Sequence, residues 1–382
     1  MRRATVWHAG GMVFVMATVF ALLPIRARAL GDDTVGDKGI AFRYLDQVEA
    51  SVGFETYDSV SAPLCNHLAH SLGRLDRDWL TPEAFIGHVR HVEAGMSRFY
   101  KPAKLGLDEV TAYLLPYRIR NELTSKPDWM GVMAAHFLPL TGSATTADEA
   151  ARTVLAWTTG HVKLLQPALS YPLPLRGDLD PLTVLKGGYG NEIDCAVFGV
   201  AALRASGVAA RLVWAPALRG ELGGKVWLEY LGEQRAWVPW VPSFGDAADY
   251  RAELRERIGS KILFVMARPE APLEITGSYA ETVDLTIHSS DESLVVQLLA
   301  VGRDQLLPAR GHEGTRNERH ITIGAGACVI AASFGMRSFA LLPVECAPNR
   351  KTIRIVAESG GLAIAESPET PPVSPQSPTT AN

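Results

Sequence analysis

Residues 187–243 read GGYGNEIDCAVFGVAALRASGVAARLVWAPALRGELGGKVWLEYLGEQRAWVPWVPS. A Gly-rich approach, Gly187-Gly188-Tyr189-Gly190, leads into an apolar run that predicts a helix from about Glu192 to Ser206. Val197, Phe198, Val200, Ala201 and Leu203 give that helix a mostly buried character. Gly207 stands where a helix C-terminus favours glycine. Three β-prone runs follow, at 210–214, 225–231 and 237–241. A buried helix whose N-terminus faces a small antiparallel sheet suits thiol chemistry. The helix dipole stabilises a thiolate at the first turn, and the strands can present a base and its orienter.

The order of these pieces resembles the transglutaminase-like, papain-related superfamily. Its pattern runs Gly-x-Cys-x-Asp, apolar helix, LLRAxGIPAR, strand, HAWVE, strand. LRASGVAARLV stands where the helix end and first strand are expected, KVWLEY where HAWVEV is expected, and AWVPWVPS where a WVPVDPT-like strand is expected. Counted from Arg204, the nucleophile position falls on Glu192, the histidine position on Lys225 and the aspartate position on Val241. A carboxylate cannot form a thioacyl intermediate, a charged amine cannot accept a proton, and an isopropyl group cannot orient an imidazole. The resemblance therefore implies the scaffold without the parental activity. Glu192 and Lys225 either pair as carboxylate and ammonium or both point to solvent. Asp194 matches an acidic position two residues after the nucleophile and is expected to make local backbone bonds.

Cys195 is the reserve nucleophile, in an active cysteine amidase, peptidase or acyltransferase with a rearranged site. It lies about 4.5 Å further along the helix, where the dipole helps less. No histidine falls between Val162 and Thr286 to serve it. Core packing is the simpler reading. Tyr189, Trp214, Trp227 and Trp240 crowd the same region and are candidates to line a groove for a peptide or glycan.

Working outward, LLPYRIRNE at 114–122 resembles a signature preceding the core in a bacterial subgroup of the superfamily. Arg118 and Arg120 there are read as braces through planar, bidentate bonds. Thr146-Ala147-Asp148-Glu149 is a capping-box start for a helix reaching about Val162, and DPLTVLK at 180–186 resembles the approach to the core. The spacing of Phe42, Tyr44, Leu45 and Val48, and Thr81-Pro82-Glu83 opening a helix through Phe99, predict a helical region over about 31–121. His88 and His91, like His67 and His70, lack an accompanying carboxylate or thiol and read as packed or solvated histidines. A helix is expected over 246–259. Beyond Leu263, strands at 281–288, 293–301, 320–323, 328–332, 338–343 and 351–356 predict a β-sandwich.

The expected class is α+β: a signal peptide at 1–29, a helical region at 30–145, a transglutaminase-like core at 146–260, a sandwich at 261–358 and a disordered Pro/Ser/Thr tail at 359–382. Arg2-Arg3, the apolar run 10–23 and Ala27-Arg28-Ala29 carry the signal-peptide reading. That run is too short to span a bilayer, so the mature chain is expected to be secreted or periplasmic without a transmembrane span; an uncleaved N-terminal anchor is the alternative. With 382 residues and a net charge of −4, composition gives no support to nucleic acid as partner. An unidentified protein, peptide or glycan is the expected one. No metal or cofactor is expected, because no Cys/His spacing forms a metal motif. Cys328 and Cys346 form either a disulfide, which an exported protein permits, or two buried thiols.

Overall fold

Buried side chains occupy nearly the whole of one helix, Glu192–Ala205. Phe198, Val197 and Leu203 are fully enclosed, and burial of each large side chain contributes about 1.5–3 kcal/mol. In the computed structural model this helix is the axis of the fold. The structure describes residues 34–365 except 59, 101–104, 121, 123, 166–177, 246, 269–272, 290–293, 304, 313–317, 335–337, 348–351 and 359–360. The expected signal peptide lies outside the described residues. Among these residues no helix is long and apolar enough to cross a membrane.

Nine helices among the described residues precede the axis: α1 (Thr34–Val52), α2 (Phe54–Asp58), α3 (Ala62–Ser71), α4 (Arg74–Trp79), α5 (Pro82–Phe99), α6 (Leu107–Tyr113), α7 (Trp129–Leu140), α8 (Ala147–His161) and α9 (Pro181–Gly187). Their starts are written in the sequence. The Thr81 hydroxyl accepts from the Ala84 N–H ahead of α5, the Thr146 hydroxyl from Glu149 ahead of α8, and Asp180 from Leu182 and Thr183 ahead of α9. The axis itself is α10. It packs against α7 and α8 on one side and against a sheet on the other.

That sheet has five antiparallel strands in the order β5-β4-β3-β6-β7. Its members are β3 (Ala210–Ala215), β4 (Lys225–Leu231), β5 (Trp237–Trp240), β6 (Met266–Arg268) and β7 (Leu273–Glu274). The short pair β1 (Lys163–Leu164) and β2 (Tyr189–Gly190) runs parallel and ties the end of α8 to the start of α10. Gly207 turns the chain from α10 to β3 at φ +86°. A Cβ there would sit 2.6 Å from Gly95 Cα, so α5 and this turn meet backbone to backbone. Helix α11 (Tyr250–Ile258) starts later than the expected Asp246, because Asp249 caps it through the Arg251 and Ala252 N–H groups.

The rest of the chain forms two four-stranded sheets, β10-β9-β12-β13 and β11-β8-β14-β15. Val283, Leu285 and Ile287 of the second share one apolar cluster with Val296, Leu298 and Ile330 of the first. The strands are β8 (Thr282–Ser289), β9 (Leu294–Val301), β10 (Leu306–His312), β11 (Glu318–Gly324), β12 (Gly326–Phe334), β13 (Ser338–Cys346), β14 (Thr352–Glu358) and β15 (Gly361–Ala365). Two depart from expectation. β10 carries a Pro308 and an irregular register, which hide its alternation. β15 lies in the segment read as a disordered tail; it is an edge strand pairing antiparallel with β14. Cys328 and Cys346 are buried and form no disulfide. They sit on neighbouring strands, Cys328 opposite Val344 and Cys346 opposite Gly326.

Candidate functional site

Helix α10 begins with a reciprocal cap. The Asn191 side chain accepts from the Asp194 N–H at 2.9 Å, and the Asp194 carboxylate accepts from the Asn191 N–H at 3.0 Å. Asp194 also accepts from the Leu179 N–H at 2.8 Å, which fixes the approach loop to the helix. Asp194 therefore makes backbone bonds, as its position implies. Glu192 is the first helical residue, where the dipole favours a carboxylate.

Lys225 opens β4, and its ammonium reaches across to this helix end. Lys225 Nζ lies 2.5 Å from Glu192 Oε1 and donates to Ser243 Oγ at 2.7 Å. The Ser243 hydroxyl donates to the same Glu192 oxygen at 2.6 Å. The three groups close a ring: the ammonium donates to the carboxylate and to the hydroxyl, and the hydroxyl donates to the carboxylate. Phe244, beside Ser243, places its ring centroid 5.1 Å from Lys225 Nζ. The Lys225 and Glu192 side chains are 17% and 25% exposed, so neither simply points to solvent.

Val241, the third expected position, is elsewhere. It is fully buried beside Trp227, Leu254 and Tyr279. The short helical turn Pro242–Phe244 brings Ser243, two residues on, to the pair instead. Ser243 was not legible as a site residue; its one signal is the small polar residue closing AWVPWVPS.

Cys195 lies one turn inside α10. Its thiol is buried, with Sγ 3.6 Å from the Gly190 carbonyl oxygen. Burial, with Asp194 and Glu192 adding to it, pushes the thiol pKa up to about 12. The reserve nucleophile is thus a packed thiol held protonated at neutral pH.

The aromatic groove separates into different places. Tyr189 is 46% exposed and Trp214 half-buried, whereas Trp227 and Trp240 belong to the core. Trp227 Nε1 donates to the Tyr279 hydroxyl at 3.2 Å, and that hydroxyl donates to Glu229. Trp227 and Trp240 are therefore packing residues, a correction to their reading as groove lining. They alternate onto the covered side of a sheet that α10 or the Tyr279 layer closes.

The arginines of the LRASGVAAR stretch are structural. Arg204 is buried, with Nε and Nη2 on the Ala210 carbonyl at 3.1 and 2.9 Å and Nη1 on that of Pro116 at 3.2 Å. Arg211 Nη2 lies 2.6 Å from Glu229 Oε2, both groups almost wholly buried. The Arg211 guanidinium also stacks 3.9 Å from the Trp237 ring centroid. These bonds tie β3 to β4 and α10 to the loop after α6, independently of any chemistry at Glu192.

Among the described residues no group of three or more His, Cys, Asp or Glu side chains is arranged to hold a metal. His88 is buried with Nε2 2.7 Å from the Leu115 oxygen, and His70 bonds the Asn66 carbonyl oxygen at 2.7 Å; both serve local structure.

Residues 137–242 match the family model of the transglutaminase-like superfamily. That segment is a transglutaminase-like core. It runs from the end of α7 through β5 and includes both Glu192 and Lys225. Among solved structures, a proposed cysteine protease from Cytophaga hutchinsonii is 9% identical, with a TM-score of 0.31 over 65% of this chain and 59% of that one. A proposed protease from Parabacteroides distasonis is 12% identical, with a TM-score of 0.28 over 44% of this chain and 33% of that one. The chain thus spans less than two thirds of either protein. No curated protein matches it.

Proposed function

We propose that this chain is an exported transglutaminase-like protein that has lost the parental thiol chemistry and acts as a binding or assembly module for a peptide or glycan. The observation that carries the reading is the closed ring of Glu192, Lys225 and Ser243 at the N-terminus of α10. In this reading the ring occupies the place of the superfamily's reactive trio. A thiolate and imidazolium have given way to a carboxylate and an ammonium of the same signs, so the helix-to-strand contact persists while the nucleophile is gone. The one thiol nearby, Cys195, is buried and protonated. Export rests on the basic start and apolar run of residues 2–23. The two C-terminal sheets, sharing one apolar cluster, are read as an appended sandwich.

The test is turnover. The full chain, incubated with glutamine-containing peptides and with and without a primary amine, is expected to release no ammonia and cleave no peptide. Release of ammonia or cleavage that disappears in Cys195→Ser would overturn the reading and support the rearranged cysteine enzyme.

A further inference from the structure

A cleft of about 510 Å³ opens at the far end of α10, lined by Arg74, Asp76, Arg118, Arg120, Arg204 and Arg268 among others. Arg204 is twelve residues along the helix from Glu192, about 18 Å away at 1.5 Å per residue. The arginines converge from four parts of the chain: the start of α4, the PYRIR loop, the last turn of α10, and β6.

Three of them are accounted for by bracing. Arg118 forks onto Asp76, Nε lying 2.7 Å from each carboxylate oxygen. Arg120 bonds Asp178 at 2.5 Å. Arg204 spends its donors on the carbonyls of Pro116 and Ala210. Arg268 is different. It is half-buried, yet among the described residues no hydrogen bond or ion pair holds its guanidinium. Burial lowers its pKa, opposed by the attraction of Glu122 and Asp178 and reinforced by the repulsion of Arg120. Beside it, Asp178 Oδ2 is buried without a hydrogen-bond partner. Five arginines and one carboxylate, Asp76, line the cleft; Asp178 and the buried Glu122 are electrostatic neighbours of Arg268. The Arg268 nitrogens are not among the fully buried unpaired atoms of the described residues, so they are open to an acceptor from solution, and the planar fork matches an oxyanion.

We infer that this cleft binds an oxyanion, the phosphate, sulfate or carboxylate group of a ligand, gripped by Arg268 with Arg74 at the exposed rim. The site stands apart from the Glu192 end, so it holds whether or not that end is inert.

The experiment is titration of the full chain with sodium phosphate, sulfate or acetate at matched ionic strength, with chloride as reference, followed by calorimetry and thermal unfolding. At least one oxyanion is expected to bind saturably and raise Tm. Preference for phosphate or sulfate identifies a tetrahedral group, preference for acetate a planar one. Arg268→Gln weakens binding at least about tenfold, the loss expected for one charge-assisted fork. In chloride alone that variant remains folded, since no hydrogen bond to the described residues is lost with the guanidinium. Arg268→Lys, which keeps the charge without the fork, falls between. Lys225→Met binds as the parent does. Failure of all three anions to exceed chloride, or unchanged binding by Arg268→Gln, overturns the site.

Discussion

The ammonium of Lys225 stands 2.5 Å from the carboxylate of Glu192, and Ser243 bonds both. The pair joins the first residue of β4 to the first turn of α10. Its energetic weight is small beside that of the helix it caps. Partly exposed ion pairs contribute about 0–1 kcal/mol, whereas Phe198 alone contributes about 1.5–3 kcal/mol by burial. The scaffold therefore tolerates change at this end.

A double-mutant cycle tests that weighting. Glu192→Gln, Lys225→Met and their combination are expected to show a coupling of about 0.5–1 kcal/mol in urea unfolding. Coupling above about 3 kcal/mol would mean that the ring is a buried structural keystone.

The same geometry predicts what a thiol would do there. Glu192→Cys places sulfur at a helix N-terminus beside an ammonium, both of which favour the thiolate. Its alkylation at pH 7 should be faster than that of a free cysteine. Adding Lys225→Met should slow it about tenfold, one pKa unit's worth of thiolate. A Glu192→Cys thiol no faster than free cysteine would show that the dipole and the amine do not act at this position.

Arg211 and Glu229 are the reverse case, an ion pair almost wholly buried. Glu229→Ala leaves the Arg211 charge uncompensated against Trp237 and strips the acceptor from the Tyr279 hydroxyl. The expected cost is about 3–5 kcal/mol in equilibrium unfolding. A cost below about 1 kcal/mol would contradict the bracing role.

His88 gives the fold a pH dependence. Burial lowers its pKa from 6.5 to about 4. The unfolded chain therefore takes up this proton first, and stability is lost as pH falls from about 6.5 toward 4, by about 3 kcal/mol in all. His88→Gln retains a donor for the Leu115 oxygen and removes the titration. The parent should lose more stability than this variant between pH 7 and 4.5. Equal losses would exclude His88 as the cause.

What could be read beforehand follows from where the information sits. α10, its Gly207 stop and strands β3 to β5 are local patterns, and the structure has them within a residue or so. Glu192 and Lys225 were legible because the motif fixed their register. Ser243 and Arg268 were not: each acquires its role only from partners brought in by the fold. Trp227 and Trp240 were misplaced because an aromatic near a site in sequence does not reveal which face of a strand it occupies. β15 was missed because its alternation, GLAIA, is only five residues long and adjoins a Pro/Ser/Thr-rich segment whose composition governs the reading of the tail.

The most direct test is the reactivity of the folded protein's cysteines toward a thiol-alkylating probe at neutral pH, mapped by peptide mass spectrometry. With all four thiols buried and Cys195 held protonated, the intact chain should remain unlabelled at Cys195 over hours, and denaturant should expose all four. Rapid, stoichiometric labelling of Cys195 in the folded chain would contradict the account.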